Sequence, residues 1–276
     1  MSDPAGPGPG PGPGTGWDCH VHVFDATAPA LPGHYGPATR ALVEIETLAA
    51  AHGVGHLVLV QPSVYGSDHQ VLLRALSVEP GRHRGVAVLA PEVSDAELDA
   101  LHAAGVRGAR FNRVSPVGQA GDPAPALRAL APRLRERGWH LQWYLRSAEL
   151  AMLAALQAES GLVFVLDHLA GMAQGLPADD PAWSQLARLA DGGAWIKLSG
   201  WYRLDSAAPY SGLHAAIARA AGLFGERMVW GSDWPHTGQP TSPPLHYEDS
   251  WAPVASALGA SQAQRVREQG PLALYG

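Results

Sequence analysis

A strand-like run, a loop, an amphipathic stretch and a glycine recur along this chain, and that recurrence limits the fold more than any single motif does. The runs are Asp18 to Phe24, His56 to Gln61, Arg84 to Leu89, Val106 to Asn112, Trp139 to Leu145, Leu162 to His168, Ala194 to Ser199 and Arg227 to Asp233. Each is apolar or alternating over a strand's length. Between them lie helix signals: Thr39 to His52 reads as a helix closed by Gly53, Ser67-x-x-Gln70 and Ser94-x-x-Glu97 have capping-box spacing, and Ser147 suits an N-cap. Gly53, Gly105, Gly138 and Gly161 stand where helices should end. Eight strands alternating with helices over about 250 residues predict an α/β fold, a closed parallel (β/α)8 TIM barrel. An open doubly wound sheet is the alternative, but it generally has fewer strands, and no Gly-x-Gly-x-x-Gly follows the first run.

Composition narrows the class. With 46% hydrophobic residues in 276, the chain can bury a large core. The single cysteine, Cys19, permits no internal disulfide, so a reducing cytoplasm is the expected compartment. Residues 2 to 16 are mostly alternating Gly and Pro, without the basic and apolar segments of a signal peptide or anchor. The expected organisation is a flexible Gly/Pro tail over 1–16 and one barrel domain over 17–276. A net charge of −6 with no basic block argues against nucleic acid as partner, and nothing indicates a membrane. The oligomeric state is not legible.

Loop lengths locate the working face. Helix-to-strand links such as Gly53-Val54-Gly55 are short, whereas residues 25–38, 113–123, 169–181 and 234–248 form long strand-to-helix loops. Barrel enzymes build their sites from such loops, at the carboxyl ends of the strands. Polar residues gather there: His20 and His22 on the first strand, Ser63 and Tyr65 after the second, and Arg110 and Asn112 on the fourth. Tyr144 ends the fifth, His168 the sixth and Asp233 the eighth, while Ser199, Tyr202 and Arg203 follow the seventh.

Strand alternation places Asp18, His20 and His22 on one face, with Cys19 and Val21 on the other. The same rule puts Asp167 opposite His168, which makes Asp167 structural. Asp233 reads as a general base or a metal ligand, or else as a turn residue before Pro235. An inward Arg110 suits a substrate carboxylate, or else an ion pair with Asp233 or a Glu; Arg203 has the same two readings.

Asp-x-His-x-His, Gln61-Pro62-Ser63-x-Tyr65-Gly66-x-Asp68, Arg107-Gly108-x-Arg110-Phe111-Asn112, Asp167-His168, Lys197-Leu198-Ser199-Gly200 and Gly231-Ser232-Asp233-Trp234-Pro235-His236 together resemble the amidohydrolase-related (amidohydrolase 2) family, and within it the pyrone-dicarboxylate lactonases. The resemblance runs from about residue 17 to the end. It implies a barrel hydrolase that opens a lactone without a metal. In it the matches to His20, His22 and His168 polarise the carbonyl and the match to Asp233 activates water. The matches to Ser63, Arg110, Tyr144 and Arg203 hold the substrate, and Tyr65 belongs to the same expected substrate-binding group.

Two departures matter. The only lysine is Lys197, on the seventh strand, so the bridged two-metal centre that the superfamily builds on a modified lysine after the fourth strand is excluded. A single divalent cation, most plausibly zinc on His20, His22, His168 and Asp233, is the alternative cofactor reading. Pro116 stands where the pyrone lactonases carry a further arginine, and Arg113 falls on the other strand face, which leaves a monocarboxylate or sugar lactone open. The rival functions are a metal-dependent decarboxylase of an aromatic or unsaturated acid, and a non-catalytic binder of small acids.

Overall fold

The computed structural model describes residues 14–32, 35–238 and 245–276. Eight parallel strands form one sheet in chain order: β1 (Gly16–Val21), β2 (Val54–Val60), β3 (Arg84–Ala87), β4 (Val106–Asn112), β5 (His140–Tyr144), β6 (Phe164–Leu166), β7 (Trp195–Leu198) and β8 (Met228–Trp230). The helices are α1 (Leu42–Ala50), α2 (Gln70–Ser77), α3 (Asp95–Ala103), α4 (Ala124–Glu136), α5 (Leu150–Ser160), α6 (Pro181–Asp191), α7 (His214–Phe224), α8 (Tyr247–Arg267) and α9 (Gln269–Tyr275). One helix in every crossover makes this the expected (β/α)8 barrel. Among the described residues no helix is long and apolar enough to cross a membrane. Gly16 already belongs to β1, its N–H donating to Gly53 O at 3.2 Å. The rest of the expected tail lies, through residue 13, outside the described residues.

Alternation sorts the strand residues into two cores. Leu57, Leu59, Phe111, Leu141, Trp143, Phe164, Leu166, Ile196 and Leu198 join the helices in one large apolar cluster. Val58, Val60, Val86 and Val229 instead meet Trp17, Cys19 and Tyr275 in a second, smaller cluster that fills the lower barrel. Tyr275, on the terminal α9, stacks on Trp17 at 6.4 Å and plugs that end. Above this plug the inward positions turn polar, with Arg110, Gln142, Asp167 and Lys197 all buried.

The helix ends follow local chemistry. Ser94 Oγ accepts from Glu97 N at 3.2 Å and Glu97 Oε2 from Ser94 N at 3.0 Å, the expected reciprocal cap. Ser67 does not cap α2: Asp68, one residue nearer the helix, accepts from Gln70 N at 2.9 Å. Ser147 opens a single 3-10 turn, Ser147–Glu149, and α5 starts after it.

Two local features aim the site. β1 pairs Asp18 with Leu57 but Val21 with Leu59, so it carries one residue more than β2 and bulges there. The strict alternation expected for this strand therefore fails. Asp18 faces outward, where Tyr247 OH of α8 donates to its Oδ2 at 3.0 Å, while Cys19 stays in the inner cluster and His20 turns in above it. The barrel then closes through the site itself: Asp233 N donates to His20 O and His22 N to Trp234 O, both at 2.8 Å. Asp18 Oδ1 braces this seam by accepting from Ser232 N at 2.8 Å. Gly231 permits the approach, because a Cβ there would lie 2.8 Å from His20 N.

Candidate active site

His20, His22 and Asp233 meet at the closing seam. His20 Nε2 and His22 Nε2 are 3.3 Å apart, and each lies 3.6 Å from Asp233 Oδ1. His22 Nδ1 lies 2.7 Å from Val60 O, an acceptor, so Nδ1 carries the proton and Nε2 is left with a lone pair. Asp233 has φ 62°, a left-handed conformation that turns its carboxylate into the barrel. Its Oδ2 accepts from Tyr202 OH and from Arg203 Nε, both at 2.7 Å. Its Oδ1 is buried and has no hydrogen-bond partner among the described residues. Burial alone would raise this carboxyl, yet the Arg203 guanidinium beside it holds it well below the ordinary carboxylate range.

His168 reaches the same centre by another route. His168, Leu169 and Ala170 have φ of 50°, 49° and 55°, a left-handed turn directly after the sixth strand. Such residues cost about 1–2 kcal/mol each. The turn swings His168 inward although Asp167 already points inward, so the expected separation of the two onto opposite faces is overturned. His168 Nδ1 lies 2.9 Å from Ser199 Oγ, and its ring sits 4.9 Å from His20 and 4.7 Å from Tyr144. Burial lowers His168 to about 4 and pushes His20 well below the ordinary imidazole value, so both rings are neutral at working pH.

Beneath the histidines lies a charged layer whose role residue-by-residue reading missed. Asp167 Oδ2 accepts from Arg110 Nε at 3.2 Å and Gln142 Nε2 at 2.9 Å, and its Oδ1 is 3.2 Å from Lys197 Nζ and 3.4 Å from His20 Nδ1. Lys197 donates to Gln142 Oε1 at 2.7 Å, and its Nζ lies 3.4 Å from His20 Nδ1. Burial opposes ionisation of Asp167, but the Lys197 and Arg110 charges keep it well below the ordinary range. Asp167 is thus part of the site. The signal was available: Gln142, Asp167 and Lys197 occupy inward positions on three successive strands, as Arg110 does on the strand before.

Above these groups opens a cavity of about 140 Å³ lined by His22, Ser63, Arg110, Asn112, Tyr144 and Arg203, with Tyr35 and the 114–116 turn on its walls. Four of the five expected substrate residues are therefore brought together. Tyr65 is not: its hydroxyl donates to Asp25 O and accepts from Asp25 N, both at 3.0 Å, and so pins the loop after β1. Arg110 pairs with Asp167 rather than with Asp233 or a Glu. Ser63 Oγ accepts from Asn112 Nδ2 at 2.9 Å, which leaves its own proton free to donate. Arg113 faces away, bonded to Glu149 Oε1 at 2.6 Å.

By spacing, His20, His22 and Asp233 could hold one divalent cation. His168 is not in that set; it forms a second triplet with His20 and Asp167, so the expected four-residue set is divided. A cation there would meet two positive charges, Lys197 beside His20 and Arg203 on Asp233.

A parallel barrel whose carboxyl-terminal rim carries His-x-His, a third His and an Asp defines a hydrolase of the amidohydrolase superfamily. The family model described as Amidohydrolase matches residues 17–276, and the chain belongs to that family. It is 30% identical to the 2-pyrone-4,6-dicarboxylate hydrolase of Comamonas testosteroni over 79% of this chain and 76% of that one. It is 27% identical to the 4-sulfomuconolactone hydrolase of Hydrogenophaga intermedia over 80% and 75% of the two chains. A Pseudomonas putida crystal structure described as a 2-pyrone-4,6-dicarboxylic acid hydrolase superposes with a TM-score of 0.82 at 30% identity, covering 95% of this chain and 97% of that one.

Proposed function

We propose that this protein opens a small carboxylated lactone by water attack, working in a reducing cytoplasm. The observation that carries the reading is Asp233 Oδ1: a buried, ionised carboxylate oxygen without a donor, facing two imidazoles below a cationic cavity. In this mechanism Oδ1 takes the proton from water as the water oxygen adds to the carbonyl carbon, and gives it to the ring oxygen as the acyl C–O bond breaks. The neutral His20 and His168 hold the carbonyl as negative charge builds on its oxygen, while His22, whose Nδ1–H is taken by Val60 O, does not donate there. Tyr202 and Arg203 fix the other oxygen of Asp233 and thereby its direction.

A carboxylate held this low is a weak base, and Arg203 explains how it gains strength. Arg203 lines the cavity while its Nε is bonded to Asp233. A substrate carboxylate that engages Arg203 draws positive charge away from Asp233 and raises its proton affinity. Substrate binding then readies the base.

Charge also selects the substrate. Among the described residues the centre holds Arg110, Arg203 and Lys197 against Asp167 and Asp233, with neutral His20 and His168. One positive charge is left over, which matches a single carboxylate. The cavity wall otherwise includes Val114, Ser115, Pro116 and Thr237, none of them ionised. The substrate is a monocarboxylate lactone, its ring oxygens met by Ser63 and Tyr144. Initial rates of chelator-treated enzyme on paired mono- and dicarboxylate lactones test this. The monocarboxylates should show the higher kcat/KM, and Pro116→Arg should narrow the gap. Faster turnover of dicarboxylates by the unaltered enzyme refutes the charge argument, and silence on every lactone refutes the reaction.

A further inference from the structure

Lys197 is the only lysine of the chain and is completely buried, and the reaction above gives it no task. Its ammonium group donates to Gln142 Oε1 at 2.7 Å, pairs with Asp167 Oδ1 at 3.2 Å and lies 3.4 Å from His20 Nδ1. The bond to His20 satisfies hydrogen-bond geometry. Asp167 Oδ1 lies equally far from His20 Nδ1, at 3.4 Å, and is the acceptor that competes for a proton there.

We propose that Lys197 is a positioning residue that fixes the tautomer of His20. By donating to Nδ1 it places the single proton of the neutral ring on Nε2. That N–H points at His22 Nε2 and Asp233 Oδ1, 3.3 and 3.6 Å away. The two histidines of the His-x-His pair therefore differ. His22 donates through Nδ1 to Val60 O and presents a lone pair, whereas His20 presents a proton. A cation at this centre needs a lone pair from both. A carbonyl oxygen gaining negative charge needs a donor. Lys197 thus biases a pair spaced for metal ligation toward holding an oxyanion. This use of the donor rests on the lactone reading; the tautomer itself does not.

The opposite tautomer is within reach. With Lys197 removed, His20 Nδ1–H can donate to Asp167 Oδ1, and Nε2 becomes a lone pair beside that of His22. Asp167 keeps Arg110 and Gln142 as partners on its other oxygen. Lys197→Met is the matching substitution, since it retains an unbranched chain of similar length without the charge.

The test is spectroscopic. Wild-type enzyme labelled with ¹⁵N-histidine is examined by long-range ¹H–¹⁵N correlation, with His20 assigned through His20→Gln. The expected spectrum has Nε2 protonated and Nδ1 unprotonated; a protonated Nδ1 in the wild-type enzyme overturns the proposal. In Lys197→Met the two shifts should exchange. Zinc affinity, read by competition with a chromogenic chelator, should rise on the order of 10- to 100-fold over wild type, the usual scale for groups that orient a ligand. Unchanged zinc affinity in a folded Lys197→Met protein also overturns it. Neither readout depends on turnover, so failure of the lactone reaction and failure of this proposal are separate results.

Discussion

Gly200→Ala tests whether His168 works on substrate or only packs. Gly200 lies in the left-handed region, φ 61° and ψ 37°, directly after Ser199. A Cβ there would lie 2.7 Å from His168 Cγ, and closer still to Nδ1, where ordinary contact begins at 3.4 Å. Restoring that contact moves the ring by about 0.7 Å at Cγ and more at Nδ1, breaking the 2.9 Å bond to Ser199. Misplacement of a catalytic group by about 1 Å costs on the order of 10²-fold in rate. Alanine in this conformation also costs about 1 kcal/mol of stability. Gly161→Ala separates the two effects. Gly161 has nearly the same backbone, φ 63° and ψ 16°, but its Cβ would meet only the Arg135 side chain at 3.6 Å. Measured by acid release at constant pH and by thermal melting, Gly161→Ala should lose stability and keep its kcat. Gly200→Ala should lose both. A kcat for Gly200→Ala within a few-fold of wild type refutes a catalytic role for His168.

Tyr65→Phe should leave kcat and KM close to wild type while lowering stability by about 1 kcal/mol, because its hydroxyl holds the Asp25 backbone and not the substrate; a large rise in KM contradicts that placement. His168 should contribute no acid limb near the ordinary imidazole value, since it is held at about 4; a limb near pH 6.5 that disappears in the residual rate of His168→Gln refutes a neutral, buried His168. For stability the sign follows from His168: its folded value of about 4 lies under its unfolded value of 6.5, so the unfolded chain takes the proton first as pH falls. As pH falls through that window the cost from His168 should grow to about 3 kcal/mol below the folded value, and a folded His168→Gln protein should show a shallower loss of stability across it in denaturant titrations.

The barrel was legible because strand and helix periods, helix-ending glycines and loop lengths all point the same way. The ring of polar residues was legible because barrel sites sit where strands end, and His20, His22, His168, Arg110, Tyr144 and Asp233 stand there. What escaped has physical reasons. The bulge in β1 depends on how Asp18 and Val21 pair with Leu57 and Leu59, and one strand's sequence does not state its partner's register. The inward swing of both Asp167 and His168 depends on three consecutive left-handed residues, none of them glycine, which local preference argues against. Tyr65 shares its strand end with Ser63, yet a 3-10 turn over Ser63–Tyr65 sends the two side chains to different neighbours. Lys197 had meaning in the sequence only as a missing metal bridge; its contact with His20 appears once the barrel closes.

The central claim is that the free oxygen of Asp233 activates the water that opens the lactone. The most direct measurement is acid release at constant pH from chelator-treated wild type and Asp233→Asn on a monocarboxylate lactone. Asparagine keeps the shape and an acceptor for Tyr202 and Arg203, so the variant should fold, as circular dichroism and melting would confirm. The account predicts a loss on the order of 10²- to 10⁴-fold, the usual contribution of a general base. A folded Asp233→Asn enzyme that turns over near the wild-type rate would contradict it.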